Sequence, residues 1–379
     1  MDDTIHYASV LPENNKDSFT EFDNVDFVLS HEGRALNLGS VRLQGVIEIK
    51  YQGNALSSTT VVDGSAVNVK DIKLDGMVGA HSFCESWTCE MNGQIVENVT
   101  SYPRYVKMAM TATNGVDDMN NASQVCELKA PYDPMTNMIL QGELGGQGGT
   151  NTTFLLPDFS IRPSICVNSG RGVMAYSKSG DIRLTVTLAR VLASLYGLDV
   201  NNQVTYGLRD LRVVYTTSAE PSSPEPVMLR TKLNIKQSIQ SSFSNVQTKV
   251  PAVCSAMSAS FQTQANENLG RYNNMELNAI PNLTQTQFLF NDSTNTLVTY
   301  LIKNNVEVIG RYIDSFVDTG RNALSPVKLA DNNGFGVGLN FGGEPIDLSN
   351  QKFSVQLSSA ISSAEPMIIY MYFHSTISL

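Results

Sequence analysis

Short runs in which apolar and polar residues alternate make up most of this chain, and Gly, Asn, Asp and Pro separate them. In Val41–Lys50, residues Val41, Leu43, Ile47 and Ile49 share one side while polar residues take the other, with Gly45 as the gap on the apolar side. A period of two sends alternate side chains to opposite faces of a strand, so this segment reads as a strand with one buried face. By the same pattern, strands are predicted over Val25–Leu29, Val41–Lys50, Ser86–Met91, Ile95–Val99, Phe154–Ile161, Ile182–Leu188 and Leu208–Tyr215. A second set covers Lys232–Ile239, Ala256–Gln262, Gln285–Phe290, Leu297–Ile302, Gly336–Phe341, Lys352–Leu357 and Met367–Thr376. Asn92-Gly93 between two of these runs signals a hairpin, because both central residues of a type I′ turn take positive φ.

The two sets are organised alike. Tyr206–Thr217 closes the first, and Met367–Leu379 closes the second. Between them lies Ala219–Val227 (AEPSSPEPV), where Pro221, Pro224 and Pro226 can neither continue a helix nor sit inside a sheet. Helical patterns are few. Ser101–Thr111 carries Pro103 in its first turn, Ala189–Tyr196 stops at Gly197, and Val306–Val317 places Val306, Ile309, Ile313 and Phe316 at helical spacing, with Gly320 just beyond. The pattern therefore predicts an all-β protein of two tandem sandwiches, with short helices in the loops. In the second set, seven or eight strands over roughly 150 residues is the size of one jelly roll.

Composition narrows what such a protein does. Charged residues are 16% of the chain and apolar ones 42%, which is a globular make-up. A net charge of −10 and the lack of a Lys/Arg-rich run argue against wrapping nucleic acid. The opening MDDTIHYASVLPENNKDSF carries acids and no apolar block, unlike a signal peptide, and no window reaches the roughly 18–20 apolar residues of a membrane span. The chain is expected to be soluble and to fold where it is made. Five cysteines (Cys84, Cys89, Cys126, Cys166, Cys254) form no regular framework and read as reduced structural thiols. Cys84 and Cys89 have C-x4-C spacing, but no second pair or neighbouring His completes a zinc site.

Candidate chemistry is sparse. Gly145–Gly149 (GGQGG) would suit a phosphate loop only if a helix followed, and the next residues, Thr150–Ile161, read as a strand. His6, His31, His81 and His374 are scattered, with His374 read as a packed imidazole in the last strand. Asp181, Asp210, Glu307 and Asp314 lie beside Arg183, Arg209, Arg212 and Arg311, as surface or lattice ion pairs do more often than acid–base dyads. The N-x-[ST] triplets at Asn98, Asn121, Asn151, Asn282 and Asn291 are what so Asn-, Ser- and Thr-rich a chain produces by chance. No catalytic, cofactor-binding or metal-binding residue is assigned, no cofactor is expected, and the chain is not expected to be an enzyme.

Three stretches carry a resemblance. Phe27–Lys50 looks like an opening strand, a short dip and a long second strand. Val78–Arg104 is similar to the pattern H-S-[LF]-F, strand, N-G, Y-P-[YR] of capsid proteins of Polinton-type elements and related tailless icosahedral DNA viruses. His81-Ser82-Phe83, Asn92-Gly93 and Tyr102-Pro103-Arg104 occupy its positions, while Cys84 departs from its second aromatic. Arg311–Phe316, Gly334–Phe341 and Leu348–Leu357 resemble the end of the second jelly roll in the same proteins, and the pieces occur in family order.

The resemblance implies a double jelly-roll major capsid protein of the phage–adenovirus lineage. Two eight-stranded sandwiches would stand side by side, and three chains would form a homotrimer filling a pseudo-hexagonal position of an icosahedral shell. The implied division is an N-terminal arm (1–22), a first jelly roll (23–218), a Pro-rich linker (219–227) and a second jelly roll (228–379). Implied partners are neighbouring capsomers, penton and minor capsid proteins and, where the shell encloses one, an internal membrane; specific nucleic-acid binding is not implied. The implied location is the virion shell, after synthesis in the host cytoplasm. Loops such as Ala112–Gly149 would form outer towers or clasp neighbours. The alternatives are a penton or minor capsid protein, usually a single jelly roll, and a β-sandwich binding module, which would display clustered aromatics where this chain has one Trp, Trp87.

Overall fold

A computed structural model describes residues 5–51, 54–55, 72–113, 126–129, 132–133, 138–139, 142–143, 158–170, 172–198, 200–250, 252–291, 296–302, 305–316, 336–342 and 345–379. The glycine run 145–149, most of the loop 112–149, the beginning of the Phe154–Ile161 strand and Gly320 lie outside them.

In the first half the strands are β1 (His6–Val10), β2 (Ser18–Phe19), β3 (Asn24–Leu29), β4 (Arg34–Asn37), β5 (Arg42–Tyr51), β6 (Cys84–Met91), β7 (Gln94–Val99), β8 (Asp158–Ile161), β9 (Val173–Ala175), β10 (Ile182–Leu188) and β11 (Val204–Ala219). They form two sheets. One has the order β8-β5-β11-β4-β9, with β1 and β2 also on β11; the other runs β7-β6-β10-β3. Pairing is antiparallel throughout these two sheets. In β10 (IRLTVTL), Ile182, Leu184, Val186 and Leu188 are buried while Arg183 is exposed, the alternation expected of a sandwich wall.

The second half contains β12 (Met228–Ile239), β13 (Phe243–Lys249), β14 (Val253–Thr263), β15 (Gln285–Asn291), β16 (Thr296–Ile302), β17 (Val337–Asn340), β18 (Lys352–Ser358) and β19 (Met367–Ser378). Again there are two sheets, ordered β12-β19-β14-β17 and β13-β18-β15-β16. Their core holds Phe261, Phe288, Phe290, Phe353 and Phe373, with Phe353 fully buried and its ring 5.2 Å from Phe290 and 5.3 Å from Phe373.

Two local features explain breaks in the alternation. The β11–β5 register shifts between Arg209 and Arg212, where Asp210 takes φ 52° and Leu211 is turned inward. Leu211 fills the space opposite Gly45: a Cβ there would sit 2.6 Å from its Cδ2. The gap in the apolar face at Gly45 is therefore the room the bulge needs. At the hairpin between β6 and β7, Asn92 and Gly93 take φ 51° and 73°, as a type I′ turn demands.

Most expected strands are present, generally with one or two more residues at an end. β1, β2, β4, β9 and β13 were not expected. In β13 only Ser244 and Val246 are fully buried, so it carries too little apolar contrast to stand out. β11 runs through Ala219, which places the first linker residue in the sheet. The described part of the segment expected as an arm lies along its own sheet, with β1 and β2 paired to β11. The expected helix 189–196 shortens to Val191–Ser194 and gives way to a strand pairing at Leu195–Tyr196. Two longer helices are α1 (Tyr102–Thr113) and α2 (Asn305–Asp314). The buried face of α2 is rotated from the expected one. Val306 is 82% exposed, and Val308, Ile309 and Tyr312 face inward because Tyr312 packs on the side-chain-free surface of Gly336 and Gly338.

Truncating Phe353 leaves a cavity among four aromatic rings that cannot collapse onto it. Phe353→Ala is expected to lower unfolding free energy by about 3–5 kcal/mol in urea titration. A loss under about 1 kcal/mol would mean that this core is not packed as described.

Candidate functional site at the seam between the sandwiches

The two sandwiches share a continuous sheet. β12 of the second meets β7 of the first through a parallel bridge, Leu233 to Asn98, so the β7 sheet continues into β12-β19-β14-β17. β19 lies inside it and is covered on both faces. Met367, Ile369, Met371 and Phe373 point into the second core, whereas Ile368, Tyr370 and Tyr372 join the first. α1 fills the angle against this strand, and nearly all of its described residues are buried. Tyr105 of α1 lies 5.3 Å from the Tyr372 ring and 6.0 Å from His374, and Phe316, just after α2, lies 5.6 Å from His374.

Into this apolar seam the chain places four charged groupings. Arg104, on α1 and almost fully buried, donates from Nη1 to the Glu276 carbonyl (3.0 Å) and from Nη2 to Gln262 Oε1 (2.7 Å) and the Asn274 carbonyl. Its guanidinium lies over the Tyr370 ring at 4.3 Å. Asp75 accepts from Lys107 Nζ (2.7 Å), Asn273 Nδ2 (2.6 Å) and the backbone N–H groups of Met77 and Val78. Burial opposes its charge, but Lys107 and these donors hold its carboxyl below the usual range.

Glu97 of β7 and Lys232 of β12 form the third. Glu97 accepts from the Lys232 backbone N–H (3.0 Å) and from the Cys166 N–H, and Lys232 Nζ stands 3.5 Å from Glu97 and 3.0 Å from the Ser164 carbonyl. Burial works against the ammonium, yet Glu97 and the Tyr105 ring beneath it raise its pKa.

The fourth is a relay through the motif residues. The Ser164 N–H donates to the Tyr102 hydroxyl (2.8 Å), which lies 2.9 Å from His81 Nδ1; His81 Nε2 is 3.2 Å from Glu127, which also takes Lys129 at 2.6 Å. Burial raises the Glu127 carboxyl, but His81 and Lys129 outweigh it and hold the group far below its ordinary value, so it is ionised. An ionised Glu127 fixes the tautomer: Nε2–H donates to Glu127 and Nδ1 accepts from Tyr102. Burial then keeps His81 neutral.

His81, Tyr102 and Arg104 were singled out as motif residues, and the structure brings them together here. His374 is a packed imidazole 2.9 Å from Ser258 Oγ, pushed down to about 3 by burial and by Lys232. His31 lies elsewhere, against Tyr176 and Ser179, and His6 is on β1. Arg183 pairs with Glu13, not Asp181, at 3.6 Å. All five cysteines are free thiols, and burial pushes those of Cys84 and Cys254 up to about 12. Among the described residues there is no group of three or more His, Cys, Asp or Glu arranged for a metal, and no helix long and apolar enough to cross a membrane. Asp75, Glu97, Lys107, Glu127, Lys129 and Lys232 had no sequence signal, since their partners are up to 198 residues away. What this arrangement does is mechanical: Arg104, the Asp75–Asn273 bond and the Glu97–Lys232 pair fix one sandwich against the other, and the relay braces the first.

No protein-family model and no curated protein matches this chain. Solved structures do. The Faustovirus major capsid protein superposes with a TM-score of 0.63 at 10% identity, covering 99% of this chain and 90% of its own. VP54 of PBCV-1 gives 0.56 at 10% identity over 100% and 95%, and the mavirus major capsid protein gives 0.50 at 10% over 98% and 86%. The fold is a double jelly roll. In this double jelly roll Arg104, Asp75, Glu97 and Lys232 bond across the two barrels, whereas the relay from Ser164 to Glu127 lies within the first.

Two outcomes follow for the seam. Lys232→Met strands the Glu97 carboxylate, and Glu97→Leu strands an ammonium and two backbone N–H groups. Each is expected to cost about 3–5 kcal/mol in urea unfolding, Glu97→Leu the more. Acid should act in the same direction. His81 and His374 are lowered from 6.5, Glu127 from 4.5 and Asp75 from 3.8, so in each case the unfolded chain binds more protons. Their contribution is complete above pH 6.5 and is lost as pH falls toward 3, first through the histidines. Melting temperature measured from pH 7 to 3 should fall across that window, and His374→Gln should flatten its upper part.

Proposed function

We propose that this chain is a major capsid protein which trimerises into pseudo-hexagonal capsomers and builds an icosahedral virus shell. The observation that carries the reading is a double jelly roll spanning essentially the whole chain, with both sandwiches locked side by side and, among the described residues, sheets that end at β9 and β16 with one edge unpaired. The shared architecture with capsid proteins of Faustovirus and mavirus supports it. Open edges left at the surface are an aggregation hazard for a monomer and a ready-made contact for an assembly. A single-sandwich vertex protein is disfavoured by the second sandwich, and a binding module by the burial of Trp87 and the absence, among the described residues, of an exposed aromatic cluster.

The role is structural, not catalytic. The units of assembly are the segment 1–22, the first jelly roll 23–218, the linker 219–227 and the second jelly roll 228–379. The linker reading is supported by the two antiparallel pairings that bracket the prolines: β11 ends at Ala219, and Val227 exchanges backbone hydrogen bonds with Leu379. Partners are copies of this chain, then penton and minor capsid proteins, and an internal membrane where the shell encloses one. Its acidic balance favours no specific nucleic-acid contact. The protein acts in the capsid shell, after synthesis in the host cytoplasm.

Light scattering behind a sizing column is the test. A particle near three times the 41.3 kDa chain, with hexagonal outlines in negative stain, is the expected result. A pentamer would move the protein to the vertex, and a monomer at all accessible concentrations would refute the capsomer.

A further inference from the structure

One of the charged groupings at the seam holds more than an ion pair. Asp75 lies just before the short helical turn Gly79–Phe83 of the first sandwich, and Lys107 lies on α1 of the same sandwich. Asn273 belongs to the second, in the connection between β14 and β15. Lys107 Nζ and Asn273 Nδ2 donate to the same atom, Asp75 Oδ2, at 2.7 and 2.6 Å. A lysine amine and an asparagine amide are therefore neighbours across one carboxylate oxygen.

The rest of the group is held in place. Asp75 Oδ1 accepts the backbone N–H groups of Met77 (2.9 Å) and Val78 (3.0 Å), which leaves Oδ2 to Lys107 and Asn273. Asn273 Oδ1 accepts the Met275 N–H at 3.0 Å, and its backbone carbonyl accepts the Glu276 N–H at 3.0 Å. Arg104, bonded to the Asn274 and Glu276 carbonyls, clamps the same loop. Water is nearly excluded: the Asp75 side chain is 2% exposed and that of Lys107 15%, and the neighbouring Met77, Val78 and Met275 are buried. An amide is a poor electrophile in water. It reacts when its carbonyl is polarised, its nitrogen can take up a proton and a nucleophile is held beside it. Met275, Asp75 and Lys107 supply these three conditions.

We propose that Lys107 and Asn273 join in an intramolecular isopeptide bond, with Asp75 as the group that moves the proton. Asp75 Oδ2 takes a proton from the Lys107 ammonium and leaves a neutral amine. The Nζ lone pair attacks Asn273 Cγ, and the Met275 N–H meets the charge that develops on Oδ1. Asp75 passes its proton to Nδ2, the Cγ–Nδ2 bond breaks, and ammonia departs with the second proton that Nζ sheds, as ammonium. The Nζ–Cγ amide remains, Asp75 ends as it began, and nothing is oxidised or reduced. Asp75 is ionised at rest, so the form that holds the lysine proton is a minor one, and the bond forms slowly after folding. The product is a covalent tie between the sandwiches, made in the single chain whether or not copies assemble.

The intact mass of the purified full chain decides the matter. After several days at neutral pH and physiological temperature it should lie about 17 Da below the mass of the sequence, the loss of one ammonia. Digestion should yield one branched peptide joining Lys107 to Asn273. A denaturing gel should show a faster band, because the loop between them stays closed. Lys107→Arg keeps the charge without the nucleophile and should retain full mass. Asp75→Asn should slow the loss roughly a hundredfold or more, with circular dichroism to confirm its fold. If that variant does not fold, the wild-type and Lys107→Arg masses still decide. A wild-type chain of full mass would overturn the inference, as would ammonia lost to a bond between any other pair. A gain of about 1 Da at Asn273 would show water attacking the amide in place of Lys107, and would overturn it too.

Discussion

One strand sets the architecture. β19 is hydrogen-bonded on both edges, to β12 and β14, and Met367–Phe373 are buried on both faces, so seven residues of one strand contribute to two cores at once. A strand in that position cannot alternate apolar with polar, and MIIYMYF does not. What it can alternate is the kind of apolar residue. Met367, Ile369, Met371 and Phe373 enter a purely hydrophobic interior, whereas the side facing α1 offers Tyr370, Tyr372 and His374, each with a polar atom. Those atoms meet the charged seam: the Tyr372 hydroxyl donates to the Ser101 carbonyl at 2.8 Å, and the Tyr370 hydroxyl reaches Gln262 and Glu267. The seam's polarity is thereby written into Tyr370, Tyr372 and His374, at alternate positions of one strand.

Buried charge in such a place is not an efficient source of stability. Removing Glu97, Lys232, Glu127, Lys129, Asp75 and Arg104 from water costs more per group than an apolar filling would, and the pairing offsets that cost only when geometry is good. Arg104, Glu97 and Lys232 are satisfied by backbone groups of the other sandwich and Asp75 by Asn273 of it, whereas Glu127 and Lys129 are paired within the first. A hydrophobic seam of the same size would tolerate sliding, because apolar contact is non-directional. A guanidinium held by two carbonyls, an amide oxygen and a tyrosine face tolerates almost none. The gain is a fixed angle between the barrels.

Much of this was legible in the sequence where structure is local. Period-two runs located most strands, Asn92-Gly93 its hairpin, and the prolines the passage from β11 to β12. The pattern failed where burial depends on partners far along the chain. β13 buries a serine and a valine, α2 turns Val306 outward to seat Tyr312 on two glycines, and β1 becomes a strand because β11 is long enough to leave an unpaired edge for it. The motif His81-Ser82-Phe83 with Tyr102-Pro103-Arg104 was visible as spelling. Its physical sense, a relay from Ser164 to Glu127 and an arginine clamp on the second sandwich, needed coordinates.

The fixed angle bears on assembly in a way that either barrel alone would not. A ring of identical subunits closes only if the rotation carried by each copy is the same, and a flexible joint between two barrels would spread that rotation over a range. Rigidity at the seam is therefore what the proposed ring needs: buried ion pairs that contribute little net stability hold the two barrels at one angle in every copy.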